Sequence, residues 1–290
     1  MLFANWAEAE GLRFAQAGSC PEKGWMSKLA VDNSEYICLA RGANGDNTLL
    51  DMPTPRPSQM PIVADQLDVI AGHMAWGFDK FVHKTPTYIT CLRNPMSRFV
   101  SDILYANRFT HKTSEMTLQQ TVEFVERHIF GTETGRYRGI YAARLSSRMH
   151  EKTPHRRSPE EDSEEMEQEA ADLAIFHLEN DMAVVGQVEQ YPVFVELVAA
   201  RLDPDRRHEE LWANAKVYHS NKHEGYDQSD VIPHLSGEAT RKLKEILALD
   251  WKVYLAGCEV TYRQCQQVAR SKAGDLYDRD CKAVRRTCGF

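Results

Sequence analysis

No uninterrupted apolar run among the 290 residues approaches the ~18 needed to cross a bilayer, and residues 1–19 lack the basic start and apolar centre of a signal peptide. The chain as it stands therefore reads as soluble and without an address. It has no CxxC pair, so zinc-ribbon and thioredoxin-like chemistry are not indicated and no metal is expected. A glycine-rich run ending in Gly-Lys-Ser or Gly-Lys-Thr is missing as well, which takes away the usual sign of a nucleotide kinase. Basic residues are not in excess: 35 Lys and Arg against 42 Asp and Glu give a net charge of −7. A surface built to coat nucleic acid or an anionic membrane is thereby excluded, and any anion site must be local.

What is present is a globular composition, 42% hydrophobic, in a chain long enough for one large α/β domain or two small ones. Seven cysteines are too scattered for a small disulfide scaffold, yet Cys258, Cys265, Cys281 and Cys288 all fall in the last 33 residues. Such clustering suits a tail stapled in an oxidising compartment, and equally a chance grouping of reduced thiols. If one helix carries both Cys258 and Cys265, they stand roughly 10 Å apart along it, too far to bond to each other. Their partners would then be Cys281 and Cys288.

Leu2, Phe3, Trp6 and Leu12 mark an amphipathic opening helix with no capping residue before it. EYICLA (35–40), LDVIAGH (67–73), TYITCL (87–92) and MAVVGQV (182–188) read as short buried strands. Helices are expected at Met96, Phe99, Val100, Ile103 and Leu104, whose spacing makes one apolar face, and in TLQQTVEFVERHIF, GIYAARLSSRM, EEDSEEMEQEAADLAIFHLEN and YPVFVELVAARL. A single long helix is expected from SGEATRK through CQQVA, after a polar loop, KVYHSNKHEGYDQSD. Strands alternating with helices favour α/β architecture, a central parallel sheet flanked by helices. Residues 136–157 are rich in arginine and the run from Glu160 to Glu169 is acidic. That pattern fits a solvated loop and helix start, or a basic rim for an anionic polymer that would use Arg144 and Arg148.

The most informative stretch is TYITCLRNPMSRFVSDILY, from Thr87 to Tyr105. Arg93 ends a strand, Asn94 can cap the next helix, and Pro95 suits its first position. A guanidinium at a helix start, beside free N–H groups and the positive end of the helix dipole, is placed to hold a phosphate. Ser101, on the helix flank beside Ser97, can add a hydroxyl. The ordinary alternative is a strand-end arginine paired with a carboxylate.

This run is similar to the 3′-phosphate motif of sulfotransferases that use 3′-phosphoadenosine 5′-phosphosulfate (PAPS), with Asn94 where an acidic residue is usual. The order of segments resembles Golgi glycan sulfotransferases related to heparan sulfate 2-O-sulfotransferase. A Gly-His pair precedes the arginine motif, AVVGQVEQYPVFVELV follows it, and a late polar loop precedes LDWKVYLAG. The likeness spans about residues 60–260. It implies a P-loop-like sulfotransferase fold, PAPS as donor without a metal, and a glycan or other carbohydrate as acceptor. Arg93 and Ser101 would bind the 3′-phosphate and His73, after Gly72, would be the general base. Ser220 and Lys222 would belong to a loop closing over the cofactor. A lone histidine ending a strand is otherwise most often structural.

The resemblance also implies a Golgi-lumenal, type II membrane protein whose anchor lies outside this chain. Such enzymes carry an amino-terminal Pro-Lys-Thr or Pro-Lys-Ser loop that cradles the 5′-phosphosulfate, and no such loop occurs here. The expectation is that the first strand and loop lie upstream of Met1, leaving a truncated sulfotransferase-like domain over residues 1–265 and a cysteine-containing tail over 266–290. Two alternatives stay open: a non-catalytic glycan- or nucleotide-binding protein on the same fold, and a kinase-like nucleotide-dependent transferase.

Overall fold

A computed structural model describes residues 2–12, 14–20, 24–31, 35–41, 47–50, 68–72, 76, 85–107, 110–131, 139–146, 164–216 and 225–271. The architecture is broadly α/β and mostly helical, with a small two-stranded parallel sheet. Helix α1 (Leu2–Ala9) is followed by β1 (Phe14–Cys20), β2 (Gly24–Val31), β3 (Glu35–Arg41), β4 (Asn47–Leu50) and β5 (Val69–Gly72). Next come β6 (Tyr88–Leu92), α2 (Pro95–Ala106), α3 (Leu118–Phe130), α4 (Ile140–Leu145), α5 (Glu164–Asn180) and β7 (Met182–Gln187). The remaining helices are α6 (Tyr191–Leu202), α7 (Glu209–Lys216), α8 (Gln228–Val231), α9 (Gly237–Ile246) and α10 (Ala248–Ser271).

Helix α1 stops short of Leu12 because Gly11 takes a left-handed conformation, φ 67°. The Gly11 amide then bonds to the Glu8 carbonyl (3.1 Å) and the Leu12 amide to Ala7 (2.7 Å), which satisfies carbonyls the helix end leaves open.

The one parallel sheet expected from the sequence is two sheets among the described residues. The larger has the order β4-β3-β2-β1-β5, antiparallel except for the β1–β5 pair, where Phe14 lies opposite Val69 and Ala17 opposite Gly72. Only residues 21–23, 32–34 and 42–46 separate the first four strands, and a parallel pairing needs a crossover of a dozen or more. The smaller sheet pairs β6 with β7 in parallel, Ile89 opposite Val184 and Leu92 opposite Gln187.

Helices cover both faces of the β6–β7 pair. Alternation along β7 sends Val185 and Gln187 to one face and Gly186 to the other. On the first face α10 approaches closely at Gly257, where an added Cβ would lie 2.5 Å from Leu92 Cδ1, and the Gln187 side chain donates from Nε2 to Thr261 Oγ1 (2.7 Å). On the second, α6 packs so tightly that a Cβ on Gly186 would fall 2.3 Å from Phe194 Cδ2 and 2.6 Å from its Cβ.

Two apolar clusters form among the described residues. One joins Leu92, Val184, Val185, Phe194, Tyr254 and their neighbours. The other takes the predicted face of α2 (Met96, Phe99, Val100, Ile103) against Phe124, Val125 and Ile129 of α3 and Leu243 of α9. The long helix expected after Ser236 is therefore two helices. A bend at the fully buried Leu247 lets Ala239 and Leu243 face the second cluster while Val253, Tyr254 and Cys258 face the first, with Trp251 touching both.

Among the described residues no helix is long and apolar enough to cross a membrane. Helix α10 carries Cys258, which is disulfide-bonded, and the buried Cys265, and it continues past 265 to Ser271; Cys281 and Cys288 lie outside the described residues.

Candidate functional site

Arg93 stands one residue beyond β6, at the carboxyl end of a parallel strand, and α2 begins two residues later. The ladder to β7 ends at Leu92, so the Arg93 main chain needs other partners. One phenol supplies both: Arg93 N–H donates to the Tyr141 hydroxyl (3.0 Å), which donates to the Arg93 carbonyl (2.5 Å). The next amide, Asn94 N–H, donates to Glu189 Oε1 (2.8 Å), and Glu189 Oε2 accepts from the Tyr254 hydroxyl (3.2 Å). The Asn94 side chain caps α2, accepting from the amides of Met96 (3.0 Å) and Ser97 (3.3 Å).

This corrects part of the sequence reading. The first amides of α2 are taken by Asn94 and Glu189, and Pro95 has none, so no free backbone N–H is left there for an anion. Glu189 also offsets the positive end of the dipole. What the turn offers is the Arg93 guanidinium. It is partly buried and forms no hydrogen bond or ion pair with any described residue. The paired-carboxylate alternative is thus not what these residues show. The Arg93 charge is felt by Asp227, the cap of α8. Burial works against its charge, but bonds from the Ser229 hydroxyl and the amides of Ser229 and Asp230, with the Arg93 charge, hold it below the ordinary carboxylate range. Ser97 and Ser101 are one turn apart on α2 and both partly exposed.

Sequence reasoning missed the network behind the turn. Arg98, buried, donates to Asp250 Oδ2 (3.1 Å) and reaches Asp102 (3.4 Å), while its guanidinium lies 5.0 Å from the centre of the Tyr141 ring. Asp250, with no exposed side-chain surface, also accepts from Tyr141 N–H (2.7 Å) and from the Ile140 amide, capping α4 from outside because Gly139 has no side chain to do so. Arg98 and Asp250 both lie in segments that carry the resemblance; only their pairing was illegible. Burial pushes the Tyr141 phenol well above its usual range, against the pull of Arg98, so it stays protonated. Burial and Glu189 likewise push the Cys91 thiol up to about 12, which makes it a poor nucleophile.

Arg144 sits on α4, one turn beyond Tyr141. Burial and the neighbouring Arg98 lower its pKa, partly opposed by Asp102, and its guanidinium has no bonded partner among the described residues. Its carbonyl accepts from Trp76 N–H (2.7 Å), and the Trp76 ring stacks on His177 (4.2 Å between centres). The structure thus links Arg93 and Arg144 through a single short helix. His73, Arg148, Ser220 and Lys222 lie outside the described residues. Among those described, no group of three or more His, Cys, Asp or Glu side chains could hold a metal ion. No protein-family model matches the chain, and no curated protein or solved structure matches it.

Proposed function

We propose that this chain is a PAPS-dependent carbohydrate sulfotransferase on a P-loop-like fold, similar to the heparan sulfate 2-O-sulfotransferase group. The observation that carries the reading is the Arg93 guanidinium at the end of a parallel strand, without a bonded partner among the described residues, on a turn whose main chain is held from three sides. A guanidinium that bonds to none of the described residues and stands on a fixed main chain suits a phosphate ligand. Arg93 and Ser101 hold the 3′-phosphate, and Ser220 and Lys222 belong to the closing loop. His73 takes the acceptor proton as the sugar oxygen bonds to sulfur and the sulfur–oxygen bond to adenosine 3′,5′-bisphosphate breaks. Arg144 and Arg148 face the acceptor. A Golgi-lumenal setting belongs to the same reading, and an oxidised Cys258 is in keeping with it.

The net charge of −7 is in keeping with a second reading, a nucleotide- or glycan-binding protein that transfers nothing. Incubation of the full-length protein with labelled PAPS and a panel of desulfated glycans separates the two. Label in a glycan supports the enzyme, nucleotide binding without transfer supports the second reading, and neither one rejects both.

A further inference from the structure

We propose that Tyr141 is a positioning residue for the nucleotide site, its phenol fixing the Arg93 main chain so that the guanidinium is aimed at the 3′-phosphate; this rests on the sulfotransferase reading above. Residue 93 is the first beyond the β6–β7 ladder, where a main chain ordinarily turns to water or to a neighbour of its own segment. Here both its polar groups close on one hydroxyl from 48 residues away. Two bonds to the same residue fix its φ and ψ more narrowly than either alone, and the direction of Cα–Cβ with them. The phenol is itself held. Its ring lies under Arg98, and its own amide is on Asp250. Arg98 leaves its Nε buried without an acceptor, a cost that an apolar side chain would avoid. What the guanidinium contributes is direction: it clamps the Tyr141 ring and Asp250 together. The chain of contacts Asp250–Tyr141–Arg93 therefore transmits the placement of α10 to the phosphate-facing side chain, through the helix that also bears Arg144.

A purely structural phenol that only satisfies two orphaned groups would look the same at rest, so the test is a double-mutant cycle read in ligand affinity. Calorimetry with adenosine 3′,5′-bisphosphate is run on the full chain, on Tyr141→Phe, on Arg93→Ala and on the double variant, beside Trp212→Phe as a remote variant that also loses a buried hydrogen bond. Tyr141→Phe keeps the ring under Arg98 and should weaken binding roughly 3- to 10-fold, as for loss of one or two neutral hydrogen bonds. In the Arg93→Ala background it should have no further effect, and Trp212→Phe should bind as the parent does. Affinity of Tyr141→Phe within twofold of the parent overturns the proposal, and so does an equal loss in both backgrounds. A parent that does not bind the nucleotide, or Arg93→Ala that binds as well as the parent, removes the sulfotransferase reading and the proposal with it. If Tyr141→Phe shows no folding transition, amide exchange on the parent decides. Nucleotide should raise protection in residues 93–97 and 140–145 together, and a rise confined to 93–97 overturns the proposal.

Discussion

Replacing Asp250 by Ala removes the acceptor of three donors at once: the Arg98 guanidinium at 3.1 Å, the Tyr141 amide at 2.7 Å and the Ile140 amide. The Arg98 side chain is only 9% exposed and keeps one weak contact, to an Asp102 that is 48% exposed, so its charge is left largely uncompensated. Breaking a buried pair from one side costs about 3–5 kcal/mol, and orphaned buried amides cost about 1–3 kcal/mol each where water does not reach them. These terms overlap, and a net loss of about 3–5 kcal/mol is expected, a large part of the ~5–15 kcal/mol that holds a domain together. Urea unfolding followed by far-UV circular dichroism should show a lower midpoint with an unchanged slope. Combining Asp250→Ala with Arg98→Met should recover about 2 kcal/mol relative to the summed single losses, because the stranded charge is gone while the α4 amides stay unpaired. A loss below about 1 kcal/mol for Asp250→Ala, or strict additivity in the cycle, would refute the buried network.

Gly186→Ala sets a methyl 2.6 Å from Phe194 Cβ, an atom fixed to the α6 backbone, so the helix itself must shift. A loss of about 1–3 kcal/mol is expected in thermal melts, and an unchanged melting temperature would contradict the close approach. Asp203 concerns pH. Burial raises its pKa, but the Trp212 indole and the amides of His208 and Arg207 more than reverse this and hold the carboxyl below the ordinary range. Its contribution is complete above the unfolded value near 3.9 and is lost as pH falls through the lower folded value, so Asp203→Asn should flatten the acid limb of stability measured from pH 7 to 3. An acid limb as steep in the variant as in the parent counts against it. His73→Ala should lower sulfuryl transfer by a factor of roughly 10² to 10⁴ with nucleotide affinity nearly unchanged. Parallel falls in transfer, affinity and melting temperature would instead mark a structural histidine.

The legible parts of the fold were those whose information is local. TYITCL, MAVVGQ and the apolar stripe of α2 each carry a period strong enough to fix element and face, and Asn94-Pro95 announces a helix start that the structure keeps. Strands β1, β2 and β4 went unread because FAQAGSC, GWMSKLAV and NTLL hold few β-branched residues and several small ones, leaving too little local preference to show. The break at Leu247 was hidden because both flanking helices have good periodicity, and only the existence of two separate clusters requires a bend. At the site, Arg93 was visible from its place between strand and helix, whereas its supports were not. Tyr141 is 48 residues away, Glu189 lies 95 from Asn94, and Asp250 lies 152 from Arg98, so no spacing rule connects them. The occupation of the α2 amides by Asn94 and Glu189 was likewise beyond a reading that saw only a capping residue.

Arg93 as the ligand of a 3′-phosphate is the claim on which the functional reading turns, and calorimetry of adenosine 3′,5′-bisphosphate against the parent and Arg93→Ala tests it most directly. The predicted result is binding by the parent and a loss of roughly 10- to 150-fold in the variant, the equivalent of about 1.5–3 kcal/mol for hydrogen bonds to a charged group, with melting temperature unchanged. Equal affinity in the two proteins would contradict it.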